Sequence, residues 1–301
     1  MSRDRDPRDE TLSERDRSRE EAAARRPDDP HDVFVRDLEL PDGPKRERVG
    51  AYKLRGSETR ILAVVGAFRA VPQEDLEHDS RTTRSLSKDV ERLRQSELLT
   101  SQPYMTGRDR CTLLTLTERG HSLLENSRRQ EPDTGRQLYY PGPGKRRELA
   151  HDSRLYQAYR DVARSLESAG CRVTRVRLDN ELKREYQQFL QEPNRRRRDA
   201  TGEPVRDREA ILRWAEQHGL PVIDDSVKFP DLRVEYERPD GERRHEDIEV
   251  ITPNYRGAHV SGKVAAGFTC YRYGSARIGG ARASNRSGRA RDSRLAEEML
   301  N

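Results

Sequence analysis

Apolar residues recur at helix or strand spacing in two stretches only, roughly 52–126 and 146–275, and any folded core must be built from these. With 32% hydrophobic against 38% charged residues, the 301-residue chain has too little apolar surface for one core along its whole length. Residues 1–48, opening with MSRDRDPRDETLSERDRSREEAAARRPDDPHD, read as a disordered charged arm with almost nothing to bury. Residues 127–147, ending in YYPGPGK, read as a linker where Pro and Gly stop helices, and the Gly/Ser/Arg-rich 276–301 as a flexible tail. No run approaches the roughly 20 apolar residues of a membrane span, and no signal-peptide centre opens the chain, so a cytoplasmic protein is expected. Cys111, Cys171 and Cys270 lie far apart, forming neither a disulfide framework nor a CxxC metal site. The net charge is +5 and the sequence pI about 9.1, which permits nucleic-acid binding without requiring it, because both signs are mixed. Seven of the 59 basic residues are Lys, an Arg bias that a GC-rich genome suffices to explain.

The first block orders its elements as helix, helix, helix, hairpin, helix. In SETRILAVVGAFRA, Ser57 is the expected N-cap and Ile61, Val64, Val65 and Phe68 keep helical spacing. Pro72 is expected to open a short helix, and SLSKDVERLRQSELL places Leu86, Val90 and Leu93 on one face. LTSQPYMTGRDRCTLLTLT predicts two strands around Gly107-Arg108-Asp109, followed by a helix beginning at Thr117. This order resembles a winged helix-turn-helix domain, whose wing returns through LTxxG, here Leu116, Thr117 and Gly120. The resemblance implies double-stranded DNA as partner, with the third helix in the major groove and the wing on the backbone or minor groove. The residues that would carry it are Arg81, Arg84, Ser87, Lys88 and Arg92 around the third helix and Arg108 and Arg110 on the wing. The plainer alternatives are that these Arg solvate a helix, or that the module docks a protein.

The second block opens with a helix whose stripe is Leu155, Tyr159, Val162 and Leu166, with Gly170 as its stop. Continuing the stripe backward reaches His151, Asp152 and Glu148. A strand CRVTRVRL, a helix NELKREYQQFL and a helix REAILRWAEQHG follow, the last carrying Trp214 as ordinary core. LRVEYE and HEDIEVI then predict a hairpin about Pro239-Asp240-Gly241. Asp231 opens its first strand after Pro230, Glu249 lies late in the second, and a helix from about Ser261 to Tyr271 carries Lys263.

This pattern resembles the restriction-endonuclease-like PD-(D/E)XK superfamily. It implies Mg²⁺ held by Asp231 and Glu249, with Lys263 at the nucleophile or the phosphate. The nearer resemblance is to the plasmid replication-relaxation family, in which a winged helix accompanies a nuclease-like domain. Its motifs fall here on His151 (with Asp152 beside it), Pro230-Asp231, Glu249, Lys263, and Tyr271 or Tyr273. The resemblance implies a DNA-binding accessory protein of a plasmid or mobile element, with replication or mobilisation proteins as further partners.

Two departures stand out. Ile251 occupies the position of the superfamily Lys, although Thr252 matches, and the chain turns Gly/Ser/Arg-rich after Tyr273, where the family continues with a further strand. The expected phosphodiesterase site is therefore degenerate. An active Mg-dependent endonuclease and a winged-helix transcription regulator remain the alternatives. Asp231 as a turn cap, Glu249 as a solvated strand residue and His151 as a helix-start donor are the unspecialised readings. The expected fold is α+β: an N-terminal winged helix-turn-helix over 52–126, then an α/β restriction-endonuclease-like domain over 148–275, with disordered charged termini.

Overall fold

The computed structural model describes residues 32–79, 83–106, 109–129, 136–142, 149–195, 208–251 and 266–272, and these form a mixed α+β fold. A one-turn helix α1 (Asp32–Val35) and a small hairpin of β1 (Glu47–Val49) and β2 (Tyr52–Leu54) lead into α2 (Gly56–Phe68). Arg55, not Ser57, caps α2: its N–H donates to Glu58 Oε2 at 3.1 Å. The Ser57 hydroxyl is instead spent on Asp89, 2.7 Å away.

Pro72 closes a two-residue strand, β3 (Val71–Pro72), and stands immediately before the expected short helix. Then come α3 (Gln73–Asp79), α4 (Thr83–Gln95), β4 (Leu99–Thr106), β5 (Asp109–Leu116) and α5 (Glu118–Asn126). The strands form a sheet in the order β3-β5-β4, antiparallel throughout. The LTxxG run has a mechanical reason. Thr117 caps α5 by accepting from Gly120 N–H at 3.0 Å while its hydroxyl donates to Glu97 O at 2.6 Å. A Cβ on Gly120 would stand 2.2 Å from Leu98 O, so glycine alone lets α5 lie this close to the end of α4.

The remaining elements are α6 (Leu149–Ser168), β6 (Arg172–Leu178), α7 (Asp179–Arg195), α8 (Arg208–Gln217), the pair β7 (Val222–Ile223) and β8 (Ser226–Val227), β9 (Leu232–Glu237), β10 (Arg243–Ile251) and β11 (Thr269–Arg272). Gly170 ends the α6 region at φ +70°. The second sheet runs β11-β10-β9-β6, with β6, β9 and β10 antiparallel and β11 parallel to β10. Residues 269–271, expected to end a helix, are thus strand. A parallel neighbour demands a crossover connection, and the chain between Ile251 and Thr269 supplies it. Ser261 and Lys263 lie outside the described residues.

Helix α6 joins the two blocks. It packs against α2 and β3 and also against β6, β9 and β10, and one continuous apolar cluster runs from Val33 to Tyr271. At its centre Phe68 meets Phe34, Tyr156 and Tyr159 with ring centroids 5.2–5.5 Å apart. Phe34 also meets Tyr159 edge-on at 5.3 Å. A smaller cluster gathers Leu182, Trp214, Ala215, Leu220 and Val227.

Two expectations about connecting segments are corrected. Residues 33–48 do not belong to a solvated arm, because Val33, Phe34 and Leu38 are buried in the main core. Residues 136–142 are no loose linker. Tyr139 is buried and donates to Phe34 O at 2.5 Å, and Gln137 bonds both peptide groups of Val176 on β6, at 2.9 and 3.0 Å. Residues 1–31 and 276–301, expected as disordered termini, lie outside the described residues. Among the described residues no helix is long and apolar enough to cross a membrane.

Phe34→Ala should cost about 3–5 kcal/mol of stability, the usual range for deleting a buried aromatic side chain. In urea unfolding the midpoint would fall with the slope unchanged. A loss below about 1 kcal/mol would mean that α1 does not belong to the core.

Candidate functional site

The first turn of α6 directs its polar residues the same way as its apolar stripe, toward the end of β9 and β10 where Asp231 sits. Asp231 grips β10 twice: its N–H donates to Ile248 O at 3.0 Å, and its Oδ2 accepts from Val250 N–H at 2.9 Å. The carboxylate thereby continues the backbone ladder and clasps both peptides flanking Glu249. The Asp231 carbonyl accepts from Asp179 N–H at 3.1 Å, which fixes the start of α7. A turn-capping Asp would do part of this, but it would not face a histidine.

His151 Nε2 lies 2.9 Å from Asp231 Oδ2, and its Nδ1 lies 3.5 Å from Asp152 Oδ1. Burial by itself would lower the imidazole pKa, but hydrogen bonding and charge from Asp152 and Asp231 outweigh it and push the pKa up to about 10. At neutral pH the ring is therefore an imidazolium between two carboxylates. It can donate a proton but cannot accept one, which disfavours a role as general base. Asp152 is buried, and its Oδ1 also lies 3.9 Å from Arg69 Nη1. Asp152 Oδ2 has no hydrogen-bond partner among the described residues.

The structure thus brings His151, Asp152 and Asp231 together. Glu249 is fully buried, contrary to a solvated strand residue. It alternates with Ile248 and Val250, which face the main core, so it shares the opposite face with Asp247. Asp247 there takes both Nε and Nη2 of Arg233, at 2.7 and 2.8 Å. Tyr271 is buried on β11 beside Val250, and Tyr273 lies outside the described residues. The oxygens of Asp231 and Glu249 are hard donors of the kind Mg²⁺ takes. Among the described residues no three His, Cys, Asp or Glu side chains converge as a metal cage, and an ion at Asp231 would share that carboxylate with the His151 imidazolium.

On α4 the exposed face carries Ser87, Lys88, Glu91 and Arg92. Glu91 is engaged by Arg94 and Gln95, at 2.9 and 3.0 Å. Arg92 lies 3.4 Å from Asp89, a buried carboxylate that also receives Arg55 at 2.6 Å and Ser57 at 2.7 Å. Arg92 is therefore partly structural, and Asp89, which sequence reasoning passed over, is what pins α4 to the start of α2. Arg110 is exposed on β5. Arg81, Arg108 and the Arg84 side chain lie outside the described residues. Arg69 also escapes sequence reasoning, since nothing in the local pattern marks a residue whose partner, Asp152, lies so far along the chain.

Comparison with models of known families, with curated proteins and with solved structures finds no match for the chain.

The raised His151 pKa has a consequence for stability. A folded pKa above the unfolded value means the ion pairs contribute fully below about pH 6.5 and are lost as pH rises through about 10. His151→Gln should lower the melting temperature most near pH 6 and progressively less toward pH 10. Parallel melting curves of the two proteins across that window would contradict the charged pair.

Proposed function

We propose that the protein is a double-stranded-DNA-binding accessory protein of a plasmid or mobile element, of the replication-relaxation kind. In this reading a winged helix-turn-helix over 52–126 holds the duplex, and a restriction-endonuclease-like domain over 148–275 offers its acid–histidine site to the DNA backbone. The observation that carries the proposal is the pairing of α4 with the β4–β5 hairpin. α4 packs against β4 while exposing Ser87 and Lys88, and Arg110 is exposed on the hairpin itself. A hydroxyl and an ammonium exposed on the helix, and a guanidinium exposed on the adjoining hairpin, are groups that bind phosphates.

The second sheet supports the other half of the reading. Asp231 precedes β9 immediately, Glu249 lies on the neighbouring strand, and the connection that must cross from β10 to β11 contains Lys263. Mg²⁺ held by Asp231 and Glu249 would polarise a backbone phosphate. The chain's own contribution is the positive charge of the His151 imidazolium, held beside the Asp231 carboxylate by Asp231 and Asp152. Ile251, an aliphatic side chain where the superfamily has Lys, argues for a site that binds DNA and cuts slowly or not at all.

Replacing Ser87 and Lys88 together with Ala leaves the Asp89 anchor intact. It should weaken duplex binding and make log K fall less steeply with log salt, by about one unit of slope for each phosphate the protein no longer neutralises. Unchanged affinity and slope would move the DNA interface off α4.

Calorimetric titration of Mn²⁺ should give heat with wild type and none with Asp231→Ala. A plasmid-nicking assay on the same proteins should show little or no cleavage. Equal heats from both would remove the metal from Asp231, and efficient nicking abolished by Asp231→Ala would make the protein an endonuclease.

A further inference from the structure

We propose that Arg69 is a positioning residue of the His151–Asp231 pair: by balancing Asp152 it leaves the His151 ring to close on Asp231. The inference rests on the reading of His151 and Asp231 as a functional site.

Arg69 stands directly after α2 with φ +64° and ψ −49°, and Ala70 N–H donates to Phe68 O at 2.7 Å. This is a γ-turn of the positive-φ kind, rare and strained for a residue with a Cβ. Glycine would make the same turn with less strain, so a side chain kept there points to a use for the side chain. The guanidinium lies 5.0 Å from the Tyr140 ring centroid, and its Nη1 lies 3.9 Å from Asp152 Oδ1. The turn itself is held rigidly, because Ala70 is buried in a small cluster with Leu113 of β5 and Leu149 of α6.

Asp152 is the reason the charge is needed. Its carboxylate is buried, and Oδ2 has no hydrogen-bond partner among the described residues, so its compensation comes through Oδ1. Two basic side chains face that oxygen, Arg69 at 3.9 Å and His151 at 3.5 Å. A buried carboxylate deprived of its cation draws harder on the donor that remains. With Arg69 in place the His151 distances are unequal, 2.9 Å to Asp231 against 3.5 Å to Asp152. Without it, the ring is drawn toward Asp152 and its bond to Asp231 lengthens. The geometry of the site therefore depends on the point at which α2 ends, in the other half of the chain.

The test uses full-length protein with ¹⁵N-labelled histidine at one fixed pH. Only seven histidines contribute, and the His151 ring is assigned by its loss in His151→Gln. Wild type should show a protected, hydrogen-bonded Nε2–H resonance. Arg69→Gly, which relaxes the backbone, should shift that resonance toward the solvent-exposed value or lose it while melting within a few degrees of wild type. Arg69→Lys, which keeps the cation, should retain it. A merely structural Arg69 would move the melting temperature and leave the ring proton in place. The proposal is overturned if Arg69→Gly leaves the resonance where wild type has it, or if Arg69→Lys loses it equally. Fluorescence anisotropy with a duplex oligonucleotide on the same wild-type sample tests the DNA reading separately. Failure to bind there overturns that reading, while the ring proton still decides the role of Arg69.

Discussion

Helix α6 is enclosed from two directions, and that enclosure governs the rest of the molecule. On one side it meets α2 and β3, on the other β6, β9 and β10, so neither set of elements has a complete core without it. Tyr156 and Tyr159, both fully buried, meet the first set through Phe34 and Phe68. A chain so poor in apolar residues saves surface by making one helix the wall of two layers. The cost is independence: the helix-and-hairpin unit is not a bead on a linker, and the position of His151 follows from the packing of residues far along α6.

The same scarcity puts charge inside, and several buried charges meet partners brought by other elements. Asp75 on α3 receives Gln157 and Arg160 of α6, at 2.8 and 3.5 Å. Arg177 on β6 faces Glu181 and Glu185 of α7 and Glu235 of β9, at 2.8, 2.5 and 3.5 Å. Arg233 joins Asp247 to the carbonyls of His218 and Gly219, which closes the end of α8. Such pairs contribute little net stability, but removing one member leaves the other buried and uncompensated. They select one arrangement of elements over others that would bury the same apolar area.

Much of this is legible in the sequence. Periodicity locates α2, α4, α5, α6, α7, α8 and the β4–β5 and β9–β10 hairpins. The backward extension of the α6 stripe puts His151 and Asp152 on the side where Asp231 lies. What escapes has no period to carry it. Phe34 sits in a four-residue helix, shorter than any window that reveals helical spacing, and Gln137 acts through a side-chain amide. β11 has four residues and follows a long connection, so its sequence cannot be told from a helix end. Arg69 is legible only from its backbone angle and its distance to Asp152, and neither can be read from neighbouring residues.

At the other side of the second sheet, β6 is the terminal strand, and the Gln137 amide bonds the N–H and C=O of Val176 as a neighbouring strand would. Arg36 adds a bond to Val173 O at 3.3 Å. Two side chains from segments that lie outside the sheet thus act as a built-in mimic of one more strand, with no further edge to recruit the next. A molecule in which these segments came away would expose β6, with its two valines and three arginines, as a template for its own kind. The tie between residues 136–142 and the sheet therefore guards against self-templated growth as well as holding the layers together.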